Sequence, residues 1–481
     1  MGTTDVRARE GVGRRWSLSA LACVALGGCH DFDALRASDG GSDTEAAVEA
    51  GMEGGAVPDP IRPSFVSPKN LAAALAGTRE IILEGGVTAL WDVESGELQV
   101  KGEDEPRFTQ EPLVESQGDG MPELAVFPVA RLVVSSNATL QFAGPHAVVL
   151  SAREGIDIAG TVTVGAKGGL GGPGGATSLP EVGELSFPVS GQQGPKGGND
   201  LVNAYAYSGA GGGGNGAPGG SGGFAWAKNG VGSAASALGG PGGAAWADVS
   251  DWDARAALVG GGAGGPTRCG VNFEARAQGG GGGGALLLAS QRSIVLRASG
   301  RVSAPGAGGP APVDAANCEP DRSVAGAGGG AGGTLVLEAP RVEIAGTVAA
   351  NGGGGAGSGR NALAVEASRG KVGTDGQPGI QVAGGGAAGA NHDSGDGYSY
   401  RHSAGGSGGA AGASLAPGAE GVTLMHMVTA LQSISSISGG GGGGAGRIEI
   451  RTASGVRDAA WVLSPSDAPQ VIVEQVMPLA E

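Results

Sequence analysis

The stretch Ile158-Ala159-Gly160-Thr161-Val162 is repeated letter for letter as Ile344-Ala345-Gly346-Thr347-Val348. Each copy ends a run in which apolar residues alternate with polar ones. Such a period of two is typical of strands that bury one face. A glycine-rich tract follows each copy. The repeated phrase therefore predicts a strand unit that recurs along the chain, with glycine-rich segments between its copies.

The same alternation can be followed at four places in the chain. The apolar residues that share a parity are Ile156, Ile158, Val162 and Val164; Leu286, Leu288, Ile294, Leu296 and Val302; Leu335, Leu337, Val342, Ile344 and Val348; and Ile448 and Ile450. Units that recur in this way stack most simply as the rungs of a solenoid. We therefore predict an all-β fold, a right-handed parallel β-helix with long glycine-rich loop insertions. A β-sandwich with long loops is the alternative, and it requires antiparallel hairpins.

Glycine supplies 102 of the 481 residues, about three times its usual share of about 7%. Tracts such as 209–223 and 405–412 admit two interpretations. They can be flexible loops, because glycine loses the most entropy on ordering. They can instead be extended helices that pack through their bare backbones. We expect partly ordered loops that lie on the solenoid.

The N-terminus has the features of an export signal. Residues 1–28 combine four arginines with an apolar stretch from Trp16 to Leu26, which is too short to span a bilayer. The sequence Leu26-Gly27-Gly28-Cys29 resembles the lipobox of bacterial lipoproteins. This resemblance implies that Cys29 is acylated, for example with palmitate, and becomes the mature N-terminus. An ordinary signal peptide with a free cysteine, or twin-arginine export through Arg14-Arg15, is the alternative.

The remaining chain divides by composition. Residues 29–62 contain eight acidic residues against two arginines and predict an acidic disordered tether. Residues 63–127 form an N-terminal cap region, in which we expect strands at 80–83 and 97–100 and one short helix over 70–77. Residues 128–465 form the glycine-rich solenoid, and 466–481 a C-terminal tail. The formal net charge of −16 disfavours nucleic acid as a partner.

Two further cysteines, Cys269 and Cys318, lie in irregular segments beyond the signal and the lipobox. An even number of cysteines in an exported chain favours a disulfide. We therefore predict a bridge between Cys269 and Cys318 that ties a loop insertion to the strand unit beside it.

Candidate ligand contacts are few. The polar stretch 391–402 contains two histidines and two aspartates, but its spacing matches neither a calcium loop nor a zinc motif. We interpret it as a hydrophilic loop tip. If the chain recognises a ligand, the candidate contacts there are His392, Asp393, Asp396, Tyr398, Tyr400 and His402. Trp226 and Trp246 could stack on sugar rings, or they could anchor glycine loops to the solenoid.

No pattern of residues predicts a catalytic site, a metal site or a cofactor. The acidic residues of the predicted strands occur singly, and we expect them on a solvated face: Asp157, Glu338, Glu343 and Glu449. A polysaccharide lyase or hydrolase built on a β-helix would need clustered carboxylates. The pattern therefore favours a protein without catalysis.

Over roughly residues 128–465, together with its lipobox start, the chain resembles glycine-rich bacterial surface lipoproteins with repeated strand and polyglycine units. The motifs that carry the resemblance are the acidic spacer, the repeated phrase and the block 439–446 that leads into Arg447-Ile448-Glu449-Ile450-Arg451-Thr452. The resemblance implies a location in the outer membrane or at the cell surface, with a periplasm-facing position left open. It supplies no catalytic residue and no ligand.

These observations together predict a lipid-anchored exported surface protein with a structural or adhesive role and no catalysis. Its partners would be the membrane, through the lipid on Cys29, and cell-surface polysaccharide or matrix. The alternative is a polysaccharide-binding or polysaccharide-degrading β-helix protein.

Overall fold

The computed structural model describes residues 63–118, 120–178, 208–228, 234–245, 257–268, 276–311, 323–360, 369–388, 390–393, 398–409, 433–453, 456–457, 461–465 and 471–475. All of them belong to one compact unit that extends from Val57 to Glu481.

The described residues between 63 and 178 contain one short helix and nine strands. They are α1 (Leu71–Leu75), β1 (Glu80–Leu83), β2 (Thr88–Asp92), β3 (Glu97–Val100), β4 (Phe108–Thr109), β5 (Leu113–Glu115), β6 (Leu124–Val134), β7 (Thr139–Ala143), β8 (Ala147–Ile158) and β9 (Thr161–Thr163). The middle part contains β10 (Ala225–Lys228), β11 (Ala234–Ala237), β12 (Thr267–Arg268), β13 (Arg276–Ala277), β14 (Ala285–Ser290), β15 (Ser293–Leu296), β16 (Arg301–Ser303), β17 (Ser323–Val324), β18 (Thr334–Ala339), β19 (Arg341–Ile344) and β20 (Thr347–Ala349). The last part contains β21 (Gly359–Arg360), β22 (His392–Asp393), β23 (Tyr398–His402), β24 (Ser433–Ile437), β25 (Arg447–Thr452), β26 (Val456–Arg457), β27 (Val462–Ser464) and β28 (Val471–Gln475).

Two large sheets carry the fold, and their strands are mainly parallel. The first sheet contains β26-β19-β15-β8-β14-β18-β25-β28 in order, and β6 pairs with β8 at its side. The second contains β27-β20-β16-β9-β7-β2-β3-β4. In successive repeats the chain runs through the first sheet and then through the second. The all-β class is confirmed. In the described residues the repeats pair in parallel, whereas antiparallel pairs occur at β2 to β5 and in the small sheets.

The repeated phrase lies at the corner between the two sheets. Ile158 ends β8 in the first sheet, and Thr161 begins β9 in the second. Its glycine is needed for close approach: a Cβ on Gly160 would lie 2.4 Å from the carbonyl oxygen of Ala138. A Cβ on Gly346 would lie 2.3 Å from the carbonyl oxygen of Gly300. The same five residues recur because each corner packs directly against the backbone of the preceding repeat.

The apolar residues of the predicted parity fill the space between the two sheets. Leu337, Ile344 and Val348 are each at most 1% exposed and belong to one continuous cluster. Three aromatic residues pack against one another near the N-terminal end of the two sheets. Trp91 lies 4.7 Å from Phe127 and 5.6 Å from Phe142 between ring centroids. The prediction that these positions face a dry interior is confirmed.

The expectation of a single buried face is wrong for part of the first sheet. All six residues of β14 are buried, and so are all six of β18 and of β25. A second cluster covers the other face and includes Val66, Ala74 and Leu258. Parallel sheets are commonly covered on both faces. The residues of the opposite parity, such as Leu287 and Val336, are therefore buried as well.

The described glycine tracts form a packed slab of extended helices, so the expectation of partly ordered loops is wrong for them. Segment 326–333 donates hydrogen bonds with a period of three. The N–H groups of residues 326, 329 and 332 bind the carbonyls of 438, 441 and 444, each at 2.9 Å. Those of residues 328 and 331 bind segment 262–265, and those of 330 and 333 bind 304–307. Three residues per turn without internal hydrogen bonds is polyproline II geometry.

The slab extends in two dimensions around this central segment. Its carbonyls accept hydrogen bonds from three further segments, at 210–213, 280–283 and 353–356. Segment 326–333 thus has six neighbours. Side chains are excluded at these contacts, because a Cβ on Gly330 would lie 1.9 Å from the carbonyl oxygen of Gly281. Real Cβ atoms essentially never approach within 3.0 Å.

The slab and the sheets are one continuous structure. Glycine segments 279–284, 328–333 and 439–446 run directly into β14, β18 and β25. After β16 and β20 the chain returns to the slab at 304–309 and 350–357. Each of these repeats therefore leaves the slab through the first sheet and returns to it through the second.

In the cap region β1 and β3 have the predicted bounds, whereas the helix is shorter than expected and covers Leu71–Leu75. One buried residue, Ala74, joins this helix to the second apolar cluster.

Candidate functional site

A small five-stranded sheet brings together two of the predicted contact regions. Its order is β11-β10-β24-β23-β22. Strand β10 contains Trp226, whereas β22 and β23 contain the predicted contacts His392, Asp393, Tyr398, Tyr400 and His402. Strand β24 lies between them, antiparallel to β10 and parallel to β23. The tryptophan and the polar stretch are about 170 residues apart in the sequence but share one sheet.

The register separates these residues into alternating rows. Arg401 pairs with Ser436, and Ser436 lies opposite Trp226 in the continuation of the β10–β24 register. Tyr400 pairs with both His392 and Ser435 in the adjacent row. Adjacent rows of a sheet belong to opposite faces. In the backbone register Trp226 therefore belongs to the row of Arg401, and Tyr400 belongs to the adjacent row.

His402 is buried at the end of β23, where only 2% of it is exposed. Its N–H donates a hydrogen bond of 2.9 Å to Oδ1 of Asn391. This burial does not fit the expected hydrophilic loop tip at that residue. The other predicted positions lie outside the described residues: Trp246 and Asp396, the disulfide pair Cys269 and Cys318, and the lipidation site Cys29.

The expectation of a solvated acidic face is wrong for two of the four carboxylates. Glu338 and Glu449 are 2% and 1% exposed, because they lie on the face of the first sheet that the N-terminal segment covers. Glu449 forms ion pairs of 2.7 Å with both Arg447 and Arg451. On the more open surface, Asp157 pairs with Arg297 at 2.8 Å. Glu343 pairs with Arg341.

Glu338 is held differently from Glu449. Its Oε2 accepts a hydrogen bond of 2.9 Å from the N–H of Ser64. Burial raises the pKa of Glu338, and the hydrogen bonds from Ser64 and the charge of Arg451 only partly oppose that effect. This cluster fastens the N-terminal segment to the sheet. It is a structural feature, since its carboxylates are enclosed.

The described residues form a groove on the second sheet at β2, β3 and β7, which we call the lysine groove. Its volume is about 670 Å³, within the usual range for ligand sites. Its polar lining residues are Thr88, Gln99, Lys101, Gln141, Lys167 and Thr177, and its apolar ones include Leu90, Pro145, Leu170 and Pro173. Both lysines are exposed, and Leu90 and Leu170 are 40% and 61% exposed.

The outer wall of the lysine groove is held by its own backbone. Lys167 and Leu170 exchange backbone hydrogen bonds of 3.0 and 3.1 Å around a turn in which Gly168 has a φ of +57°. The N–H of Gly172 then binds the carbonyl of Gly282 in the slab at 2.9 Å. The glycine slab therefore fixes the position of this wall.

A row of polar residues continues from the lysine groove across the second sheet. The register places Thr88, Thr139, Thr161 and Arg301 on neighbouring strands, and the N–H of Lys101 binds the carbonyl of Thr88 at 2.8 Å. We call this set the threonine row. Its four interstrand steps of about 4.8 Å correspond to a length of about 19 Å. The row thus has three hydroxyls between two cationic ends.

Sequence reasoning missed the groove and the row. The alternation places Thr161 on the opposite side of its strand from Val162, but register between distant strands is not visible in one sequence. The glycine turn at 168 was one of many and carried no distinguishing signal.

Among the described residues no group of three or more His, Cys, Asp and Glu side chains could hold a metal ion. The same residues contain no helix with the length and apolar character needed to cross a bilayer. No family model matches the chain, and no match was found among curated proteins or solved structures.

Proposed function

We propose that this chain is an exported surface protein, anchored by acylation of Cys29, with a structural or adhesive role and no catalysis. The likeness to glycine-rich bacterial surface lipoproteins supports this proposal at the level of sequence. The anchor would hold the folded part at the outer membrane or cell surface, with residues 29–62 as the spacer.

The observation that carries the structural role is the glycine slab. Its segments are joined laterally by backbone hydrogen bonds, as in segment 326–333 with its six neighbours. Backbone groups used in this way give rigidity without a side-chain interior. A rigid slab that is continuous with the two large sheets suits a protein that presents a surface to a partner.

We further propose that the two large sheets are the walls of a right-handed parallel β-helix. The support is the order of the repeats, in which β14-β15-β16 and β18-β19-β20 follow the same path in parallel register. Loop closure entropy grows slowly with length, so insertions of very different size between repeats are compatible with such a path.

The anchoring proposal is tested by metabolic labelling with a radioactive fatty acid and by membrane fractionation. We expect label and membrane association in the wild-type chain and in a Cys23→Ser control, because Cys23 lies inside the signal. We expect neither in Cys29→Ser. A Cys29→Ser chain that is labelled and sediments with membranes like the wild type would contradict the proposal.

Exposure at the cell surface is tested in a separate experiment. Protease added to intact cells should degrade the wild-type chain if it faces outward. Complete protection in intact cells, with degradation after permeabilisation, would place the anchor on the periplasm-facing leaflet instead.

A polysaccharide-binding role is the second candidate, and the lysine groove favours it. Its hydroxyl, amide and ammonium groups line an open surface rather than an enclosed one. The degrading form of this candidate has less support in the described residues, because Glu338 and Glu449 are enclosed and Asp157 and Glu343 are paired with arginines.

A further inference from the structure

The lysine groove has a charge that contrasts with the rest of the chain. The formal net charge of the protein is −16, yet none of the described residues that line the groove is acidic. The carboxylates of the neighbouring turn, those of Glu103, Asp104 and Glu105, belong to residues outside the lining, although the amide of Gln99 reaches the backbone carbonyls of Glu103 and Glu105. Asp92 accepts hydrogen bonds of 3.0 and 2.8 Å from the N–H groups of Glu94 and Ser95, and Glu103 pairs with Arg107 at 2.6 Å. The lining of the groove itself therefore carries two ammonium groups and no carboxylate.

The neutral groups of the groove suit a sugar. Gln141 is half-buried and lies two positions beyond Thr139 on β7, on the same face of the sheet, where it pairs with Leu90 and Thr163. Amides and hydroxyls both donate and accept hydrogen bonds, as sugar hydroxyls do. The exposed aliphatic chains of Leu90 and Leu170 offer contact to the C–H face of a ring.

The positions of the positive side chains determine which class of sugar the surface can bind. Lysine ammoniums bind carboxylates or sulfates by charge-assisted hydrogen bonds. A third cation, the exposed Arg301, lies at the far end of the threonine row. A ligand that meets all three cations must be elongated and must carry repeated negative charge.

We propose that the lysine groove and the threonine row together bind an acidic polysaccharide in an extended conformation, with its carboxylates at Lys101, Lys167 and Arg301. This inference rests on the proposed adhesive role and names its ligand class. Because the wall at 167–172 is fixed to the slab, the site is formed before the ligand arrives, which lowers the entropic cost of binding.

The first test measures binding by the full-length chain in detergent, with a hexamer of α-1,4-linked galacturonic acid as the probe. Lys101→Met combined with Lys167→Met should weaken binding about tenfold or more. The control is Lys69→Met combined with Arg292→Met, which removes the same charge at two exposed positions outside the groove. We expect this control to bind like the wild type. A glucose hexamer should bind the wild type more weakly than the acidic hexamer.

The second test uses ligand length. Arg301→Met should weaken binding of the hexamer several-fold and leave binding of the galacturonic acid dimer unchanged, because the dimer is too short to extend from the groove to Arg301. Equal loss for both lengths would contradict an extended site along the threonine row.

Three results would overturn the proposal. They are undetectable binding of the hexamer, equal binding by the double-lysine variant, and equal binding of the glucose hexamer. A lysine-dependent interaction with vesicles of phosphatidylglycerol, without hexamer binding, would assign the groove to a lipid surface and also overturn it. Labelling of Cys29 is independent of these measurements, so failure of the ligand proposal and failure of the anchoring proposal can be told apart.

Discussion

The protein has two interiors, one formed by aliphatic side chains and the other by glycine backbone. Between the two sheets, aliphatic side chains such as Ile344 and Leu337 exclude water. In the glycine slab, backbones approach so closely that side chains have no space, and lateral hydrogen bonds hold the segments together. The first interior depends on apolar burial, whereas the second depends on complete pairing of backbone polar groups.

This difference predicts different tolerance to mutation. A core of aliphatic side chains accepts exchanges that conserve volume. The slab accepts almost none at its central positions, since even one added carbon meets a carbonyl oxygen. Glycine at the central positions of the slab is therefore a packing residue.

The largest effect is expected at the centre of the slab. Gly330→Val would place a Cβ 1.9 Å from the carbonyl oxygen of Gly281, with two further carbons to accommodate. We expect it to lower the free energy of unfolding by more than about 5 kcal/mol or to prevent folding, as measured by urea denaturation. The control is Gly384→Val, where the nearest atom to a Cβ is the Thr374 hydroxyl at 3.8 Å. Equal effects at the two positions would contradict the packed slab.

A smaller loss is expected from the aliphatic core. Ile344→Ala removes a fully buried side chain from the second copy of the repeated phrase. We expect a destabilisation of about 3 kcal/mol from lost burial and the remaining cavity. Ile380→Ala is the matched control, because that residue is 64% exposed, and its effect should stay within about 0.5 kcal/mol. Thermal unfolding of both variants measures the difference. Comparable losses would mean that Ile344 contributes little to the core.

The smallest effect concerns the enclosed Glu338, which belongs to neither interior. Because burial raises its pKa in the folded state, the folded chain binds more protons than the unfolded chain above the ordinary glutamate value of about 4.3. Stability therefore falls as the pH rises from that value through the raised pKa. Glu338→Gln should remove this slope and be at least as stable as the wild type at neutral pH.

The measurement is the free energy of unfolding against pH for Glu338→Gln, with Glu343→Gln as the control at a more exposed carboxylate. Parallel curves for wild type and Glu338→Gln would show that Glu338 does not titrate abnormally. If Glu343→Gln loses the pH dependence of stability to the same extent, Glu338 is not its source.

The alternation of apolar residues was enough to predict the strands and their inward positions, because a strand's period follows from backbone geometry alone. It failed for Leu287 and Glu338, since a period of two describes one covered face and the first sheet is covered on both. It also could not predict that Trp226 and Tyr400 share a small sheet yet occupy alternate rows. Strand order and register depend on contacts between residues far apart in the chain.

By itself the sequence determined the all-β class, the recurring unit and the residues that line the core, because each follows from short-range chemistry. Only the tertiary structure decided that the described glycine tracts pack into a slab and that Lys101, Lys167 and Arg301 line one surface. A glycine tract has the same composition whether loose or packed. The choice between the two states depends on whether neighbouring segments offer backbone carbonyls to N–H groups that are three residues apart.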